Sequence, residues 1–398
     1  MKLGFFFFAL ICELVFALAQ EVPSTSSPTD ASSALAGTPS PSASPLADSA
    51  PSPPVNASSS DSTPQKMLTP RIVVVTAFQP ERDVWESKSN FTQHMDLPGM
   101  SPRYPTVSCN EEGHICLFTT GEGEINAASS MSAFMLNPIF NLSQSYFLVN
   151  GIAGINPDAG TIGSAAFPRY AIQFGLQYGI DPRSMPQDWN YSYWSYGTKT
   201  PGVYPTQFYG TEVFELNSAL QDKAQGIAQN LTLNDSNAAA DFRKPYLTQA
   251  ATGPPAVFQG DVLTSDLYFT GELMGQMAAN FTGVMTNHTG SYAVSAQEDN
   301  AVLEVLVRGT KAGIVDYGRA ILFRTASNFD RAPPGMADYD AFQQQNNTTE
   351  LAAPAFENLF IVGNAIVNEI VDNWDTWAPG VPSQAKSSYG DVFGTLGQ

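Results

Sequence analysis

This 398-residue chain is expected to be an α/β protein, with a mixed, mostly parallel central sheet flanked by helices. Three observations predict that class. Arg71-Ile72-Val73-Val74-Val75-Thr76 is a continuous apolar run, as in a strand buried on both faces. Runs of this kind alternate with segments of helical length and period, which implies a sheet covered on both sides. Residues 70–398 contain no second low-complexity linker, so they read as one large domain.

The N-terminal segment comes first. Lys2 precedes an apolar run that includes Phe5–Phe8, Leu10, Ile11 and Leu14–Phe16, and Ala17-Leu18-Ala19 closes it before Gln20. This predicts a secretory signal peptide over residues 1–19. Glu13, a carboxylate within the run, argues against a retained anchor. Residues 20–69 follow, rich in Ser, Thr, Pro and Ala, and are expected to be a disordered stalk with too little apolar surface to offset the entropy of ordering.

Within the domain, residues 71–76 are the first strand and 104–120 read as a hairpin. Gly121 and Gly123 open a small-residue helix, Ile125 to Leu136. Tyr146 to Val149 is a second buried strand, ended by Asn150-Gly151, and 161–174 another. Residues 181–215 hold Trp189, Tyr191, Tyr193, Trp194, Tyr196, Tyr204, Phe208 and Tyr209 among prolines and glycines. They are expected to be an aromatic insertion, either packed over the sheet or available for ligand stacking. A helix is expected at 217–230, a strand end or turn at 260–263, and helices at 266–280 and 299–312. The strand 319–325 and a final helix over 356–374 complete the domain.

Composition narrows the function. The formal charge of −19 repels nucleic acid and anionic lipid headgroups but accepts a neutral small ligand. The most apolar stretch near the C-terminus, 359–371, carries Asn364, Asn368 and Glu369, whereas a bilayer span needs about 20 apolar residues. No membrane insertion is expected. Sequons at Asn56, Asn90, Asn141, Asn190, Asn230, Asn234, Asn280, Asn287, Asn346 and Asn347 fit passage through a glycosylating secretory pathway and a secreted, extracellular or cell-wall location. Cys109 and Cys116 remain once Cys12 leaves with the signal peptide. If Glu112-Gly113 is a two-residue turn, the two face each other and a disulfide is expected in an oxidising compartment. His94, His114 and His288 form no metal-ligand pattern with the cysteines, so no metal and no cofactor are expected.

Several segments then recur in a telling order. They are VVVTAFQPERDVW (73–85), TTGEGEINAASS (119–130), FLVNGIAGINPDAGTIGSAAFPRY (147–170), VFQGDVLTSD (257–266), AVSAQEDNAVLEVL (293–306) and RTASNFDR (324–331). Together they resemble the fungal-type purine nucleoside permease family, which is similar to the nucleoside phosphorylase and nucleosidase fold.

The resemblance implies roles, each beside a plainer reading. Glu81 corresponds to a glutamate that activates water, or it is a solvated loop glutamate or a helix N-terminal charge beside Pro80. Glu298 corresponds to the glutamate that holds the ribose hydroxyls, or it is a helix-start acid. Gln297 stands where methionine is usual, and one extra residue nearby leaves Asp299 as an alternative match. Asn150 and Gly151 belong to the turn lying over ribose and base. Asn328 would contact the purine, and Asp330 would supply a proton to it or pair with Arg331 or Arg324. Phosphorylases commonly carry an arginine just before that turn, where this chain has Phe147, Leu148 and Val149. Glu122 and Glu124 beside the glycine-rich loop would also repel phosphate. The resemblance thus points to a purine nucleoside as ligand and to N-ribosidic cleavage by water rather than phosphate. A non-catalytic uptake component and a structural cell-surface glycoprotein are the other readings. Similar folds are often trimers or hexamers, so by analogy a homo-oligomer is in view.

Overall fold

The structure is a computed structural model that describes residues 67–383 and the backbone of Gly390–Asp391. The expected signal peptide, and the expected stalk as far as residue 66, lie outside those residues. Along the chain run β1 (Ile72–Thr76), α1 (Gln79–Lys88), β2 (Gln93–Asp96), β3 (Thr106–Cys109), β4 (Ile115–Thr119), α2 (Glu124–Met135), β5 (Tyr146–Ile155), β6 (Ala165–Phe167) and β7 (Tyr170–Gln173). Next come β8 (Gln177–Gly179), β9 (Tyr193–Ser195), β10 (Val213–Glu215), α3 (Ser218–Ala228), α4 (Asn237–Arg243), α5 (Gln249–Thr252), β11 (Val257–Gln259) and β12 (Asp261–Thr264). The chain closes with α6 (Glu272–Met285), β13 (Tyr292–Ala296), α7 (Asp299–Lys311), β14 (Ala320–Phe329), α8 (Asp338–Asn347), α9 (Thr349–Asp372), α10 (Trp374–Trp377) and β15 (Gly390–Asp391).

One mixed sheet organises these elements, in the order β15-β10-β7-β12-β13-β5-β1-β4-β3-β2, with β14 against β5 and β6, and β6 against β11. Its centre is parallel: β1 lies between β4 and β5, and β14 runs along β5. β2, β3 and β4 pair antiparallel at one edge. The uninterrupted apolar run of β1 has a direct cause. Ile72 and Val74 join Tyr146, Leu148, Ile321 and Phe323 beneath α9, while Val73 and Val75 join Phe147, Val149 and Phe134 on the other face. Both faces are dry, so neither set of alternating positions is polar. Each such side chain contributes roughly 1.5–3 kcal/mol by burial.

α9 is long and apolar enough to cross a membrane by length and composition, yet half of that stretch is buried within the domain. Leu359, Val362, Ile366 and Ile370 are fully buried in the core with β1, β5 and β14 residues. Gly363 lets the helix approach closely, because a Cβ there would run into the Trp85 ring.

Several elements differ from the sequence reading. β5 does not end at Asn150-Gly151 but continues to Ile155, because β14 pairs with it from Phe147 onward. The strand expected over 161–174 is two, β6 and β7, broken at Pro168, which has no N–H to donate. The helix expected at 266–280 begins only at Glu272, after Gly271 at φ 122°. α9 starts at Thr349, and Pro354, which reads as a breaker, sits in its second turn. In the insertion, β8 and β9 form a separate two-stranded sheet and β10 joins the main one. Tyr191 and Tyr193 pack on a core of Ile172, Phe174, Met277 and Phe281.

The turn between β3 and β4 is a five-residue loop, 110–114, not a two-residue turn at Glu112-Gly113. Asn110 Oδ1 closes it by accepting from the N–H groups of His114 (2.9 Å) and Ile115 (3.0 Å). Cys109 and Cys116 are register partners, with their sulfurs bonded at 2.01 Å. Replacing both cysteines with serine is expected to lower the unfolding free energy by about 2 kcal/mol, the loop-closure value for so short a link. A chemical denaturation midpoint unchanged from wild type would show that the link contributes nothing.

Candidate functional site

The loops after β1, β4 and β13 and the middles of β5 and β14 converge on a buried charged cluster. Glu81, in the first turn of α1 just after β1, is 1% exposed. Its Oε2 accepts from the Ala77 N–H and its Oε1 from the Ile152 N–H, both at 2.7 Å. Arg324 reaches the same place from β14, where it is the register partner of Gly151. Its Nη1 donates to the Ile152 carbonyl at 3.1 Å, its Nη2 to Glu298 Oε2 at 3.2 Å, and its Nε to both Asp299 oxygens at 3.0 and 3.2 Å. Gly151 is needed between them, because a Cβ would collide with both Arg324 Nη1 and Glu81 Oε1.

Glu298 stands at the N-cap position of α7 and accepts from the Gly123 N–H at 3.1 Å. The next amide, that of Glu124, donates to Asp266 Oδ1 at 2.8 Å. The first N–H groups of α2 are therefore taken by the chain's own carboxylates. Glu124 itself accepts from Gln173. Three buried carboxylates, Glu81, Glu298 and Asp299, thus surround one guanidinium. Burial pushes Glu81 up to about 7, with the Arg324 charge acting against it. Burial also raises Glu298, again opposed by Arg324. For Arg324 burial acts downward, but Asp299, Glu298 and Glu81 outweigh it and hold the guanidinium charged.

A groove of about 550 Å³ runs between α2 and α7 beside this cluster, in the range of small-molecule sites. Its polar end is Glu124, Gln173 and Asn300, and Ile125, Leu136 and Val305 are among its apolar walls. Glu81 and Glu298 do not line it; they lie beyond Glu124, on the far side of the Gly123 turn.

The residues singled out from sequence are distributed unevenly. Glu81, Gly151 and Glu298 come together around Arg324. Asn328 sits at a β-bulge of β14, facing Gly154, with its Oδ1 accepting from Ser327 Oγ at 2.8 Å and its Nδ2 donating to the Phe329 carbonyl at 3.2 Å. Gln297 Nε2 donates to the Asp266 carbonyl at 3.2 Å, at the rim. Asn150 does not join them. It points to the opposite face of β5, toward Gly363 of α9, and in the amide orientation its neighbours require, with oxygen and nitrogen exchanged, its nitrogen donates to the Val75 carbonyl (3.2 Å) and its oxygen accepts from Trp85 Nε1 (3.3 Å). Asp330 lies in a separate buried cluster, accepting from Arg331 Nε at 2.8 Å and from the Tyr292 hydroxyl at 2.9 Å. Among the described residues, no group of three or more His, Cys, Asp or Glu side chains could hold a metal ion.

The Asn150-Gly151 stretch, which lies inside β5, is also not without an arginine: Arg324 arrives beside Gly151 from the neighbouring strand. Its signal was legible, since it breaks the apolar run Ala320-Ile321-Leu322-Phe323, and a charge inside a buried strand requires a buried partner. Which carboxylates answer it was not legible.

The family profile described as "Purine nucleoside permease (NUP)" matches residues 69–382. A purine nucleoside permease of Candida albicans is 44% identical over 347 residues, covering 86% of this chain and 85% of that protein. A probable purine nucleoside permease of Schizosaccharomyces pombe is 36% identical over 324 residues, covering 79% and 92%. Among solved structures, a 5′-methylthioadenosine/S-adenosylhomocysteine nucleosidase of Neisseria meningitidis matches 76% of this chain and 100% of that one, at 13% identity and a TM-score of 0.45. A futalosine hydrolase of Helicobacter pylori matches 76% and 98%, at 13% identity and the same TM-score of 0.45.

Removing the guanidinium would strand buried carboxylates, so Arg324→Met is expected to cost roughly 3–5 kcal/mol of stability, and Arg324→Lys to recover only part of it. A denaturation curve for Arg324→Met superposable on wild type would refute the hub role. The Glu81 shift has a sign that can be measured. Its folded pKa lies above the ordinary carboxyl value of 4.5, so its contribution to stability is full below that value and is lost as pH rises through about 7. Glu81→Gln should remove a fall in stability of up to about 3 kcal/mol between those pH values. Parallel slopes for the two proteins would show that Glu81 does not titrate there.

Proposed function

The chain belongs to the purine nucleoside permease family, and from that premise we propose that it is an exported protein that binds a purine nucleoside and cleaves its N-ribosidic bond with water rather than phosphate. The observation that carries the choice of water is the state of the two anion-binding features. The helix N-terminus at Gly123–Glu124 is occupied by Glu298 and Asp266, and the Arg324 guanidinium by Asp299 and Glu298. A phosphate dianion would meet filled donors and a local excess of carboxylates. A neutral nucleoside and a water molecule meet neither obstacle.

In this reading Glu81 takes a proton from the attacking water. Its two oxygens already accept one N–H each, which fixes their direction, and each keeps a second lone pair. Glu298 accepts from the ribose hydroxyls and stabilises positive charge building on the ribose ring. Asn328, partly exposed, offers its amide to the base. The sequence-based acid, Asp330, is left out, because Arg331 and Tyr292 hold its oxygens. Export is part of the proposal through the leader at 1–19, and nucleoside passage, to which the family's name points, would follow from capture outside the membrane. The engagement of all four Glu81 and Glu298 oxygens within the fold favours one alternative, a protein that binds the nucleoside without cleaving it.

Purified protein incubated with inosine, adenosine and guanosine is expected to release free base equally with and without phosphate. Release only with phosphate would overturn the hydrolytic reading, and binding without release would establish the alternative. The rate should rise with pH through about 7 as Glu81 loses its proton, and Glu81→Gln should lower kcat by about 100-fold or more.

A further inference from the structure

The sequons take no part in that chemistry, yet their placement is not random. All nine of their asparagines within the described residues are exposed, whereas only four of the thirteen other described asparagines are. The unexposed asparagines include Asn150, Asn156, Asn217, Asn300 and Asn358, each buried. The motif therefore coincides with surface, which modification requires and which chance does not supply.

One of these sites lies within the aromatic insertion and one beside it. Asn190 follows Trp189 in the segment between β8 and β9. Asn280 lies on α6, and its Oδ1 is 3.8 Å from where a Cβ on Gly202 would stand. The insertion exposes Tyr209 (67%) and Val203 (44%), Tyr178 on β8 just before it is 37% exposed, and ring contacts join Tyr178 to Trp194 and Tyr196 to Tyr209. An apolar surface of this kind on a protein in solution needs a cover.

We propose that the exposed sequon asparagines carry N-linked glycans, and that those on Asn190 and Asn280 are the cover of the aromatic insertion. The co-reactant is an oligosaccharide joined through pyrophosphate to a lipid carrier, as a secretory pathway supplies it. The asparagine Nδ2 forms a bond to the sugar C1, the bond from C1 to the phosphate oxygen breaks, and the lipid pyrophosphate departs with the electron pair. The amide gives up one proton to a base. The bulky, hydrated product shields the rings beside it. This inference rests on the export reading and is independent of whether the site cleaves nucleosides.

The test uses the full chain secreted from a eukaryotic host. Enzymatic deglycosylation in heavy-oxygen water converts each glycan-bearing asparagine to labelled aspartate, which peptide mass spectrometry reads. Label is expected at Asn190 and Asn280, and none at Asn126 or Asn237, which are exposed but lie outside sequons. The double variant Asn190→Gln with Asn280→Gln should bind several-fold more of a hydrophobic dye and scatter light as a larger species, while Asn90→Gln with Asn141→Gln should do neither. A processed N-terminus with unlabelled Asn190 and Asn280 overturns the proposal alone. Labelled sites whose loss leaves dye binding unchanged overturn the shielding role. An uncut leader on a chain retained in the cell overturns export and glycosylation together.

Discussion

A single guanidinium ties the domain together where its central strands end. Arg324 is 3% exposed, on a strand that is apolar up to its own position, and it is satisfied by Asp299, Glu298 and the Ile152 carbonyl at once. A buried charge tolerates no partial solution, because an unpaired one costs several kcal/mol. Its partners come from β5 and from the start of α7, and Glu298 passes the constraint to the Gly123 turn before α2. Glu81 adds α1 through the Ile152 N–H. Five elements are therefore oriented by one side chain, and the rest of the domain has to deliver them to it.

The sheet makes that delivery. β1 and β14 flank β5 in parallel, which sets Arg324 beside Gly151 within the sheet and brings the Glu81 segment after β1 to the Ile152 N–H, while the loop after β13 supplies Glu298. The dry packing on both sheet faces leaves little freedom in register, since a one-residue slip would turn every side chain to the wrong face. Gly151 and Gly363 are the two places where the packing depends on having no side chain. One admits Arg324 and Glu81, the other admits Trp85. The electrostatic character of the site follows. Three buried carboxylates surround one guanidinium, and the Arg324 donors and the Gly123 amide are engaged by them.

Much of the fold was legible. The buried runs at 71–76 and 146–149 and the helices at 125–136, 217–230 and 299–312 follow from residue period; Cys109 and Cys116 do face each other, but across a longer loop than the two-residue turn on which that expectation depended. The errors cluster at ends and breaks. β5 and β14 both outrun their apolar stretches, since a neighbouring strand can pair with a polar residue's backbone as readily as with a valine's. α9 contains a proline that local rules place at a helix start. Short elements such as α4, α5 and α8 left no periodic signal to read.

The sequence by itself determined the class of protein: the α/β alternation, the family segments and the acidic balance. These are local properties, carried by period, composition and short motifs. The tertiary structure alone decided which residues of those segments meet. Glu298 finds the Gly123 amide 175 positions away and Arg324 at 26, while Asn150, adjacent to Gly151 in the chain, faces the other side of the sheet. The reason is geometric. Alternation along a strand sends neighbours to opposite faces, and only the long-range pairing of strands chooses which face holds the buried charge.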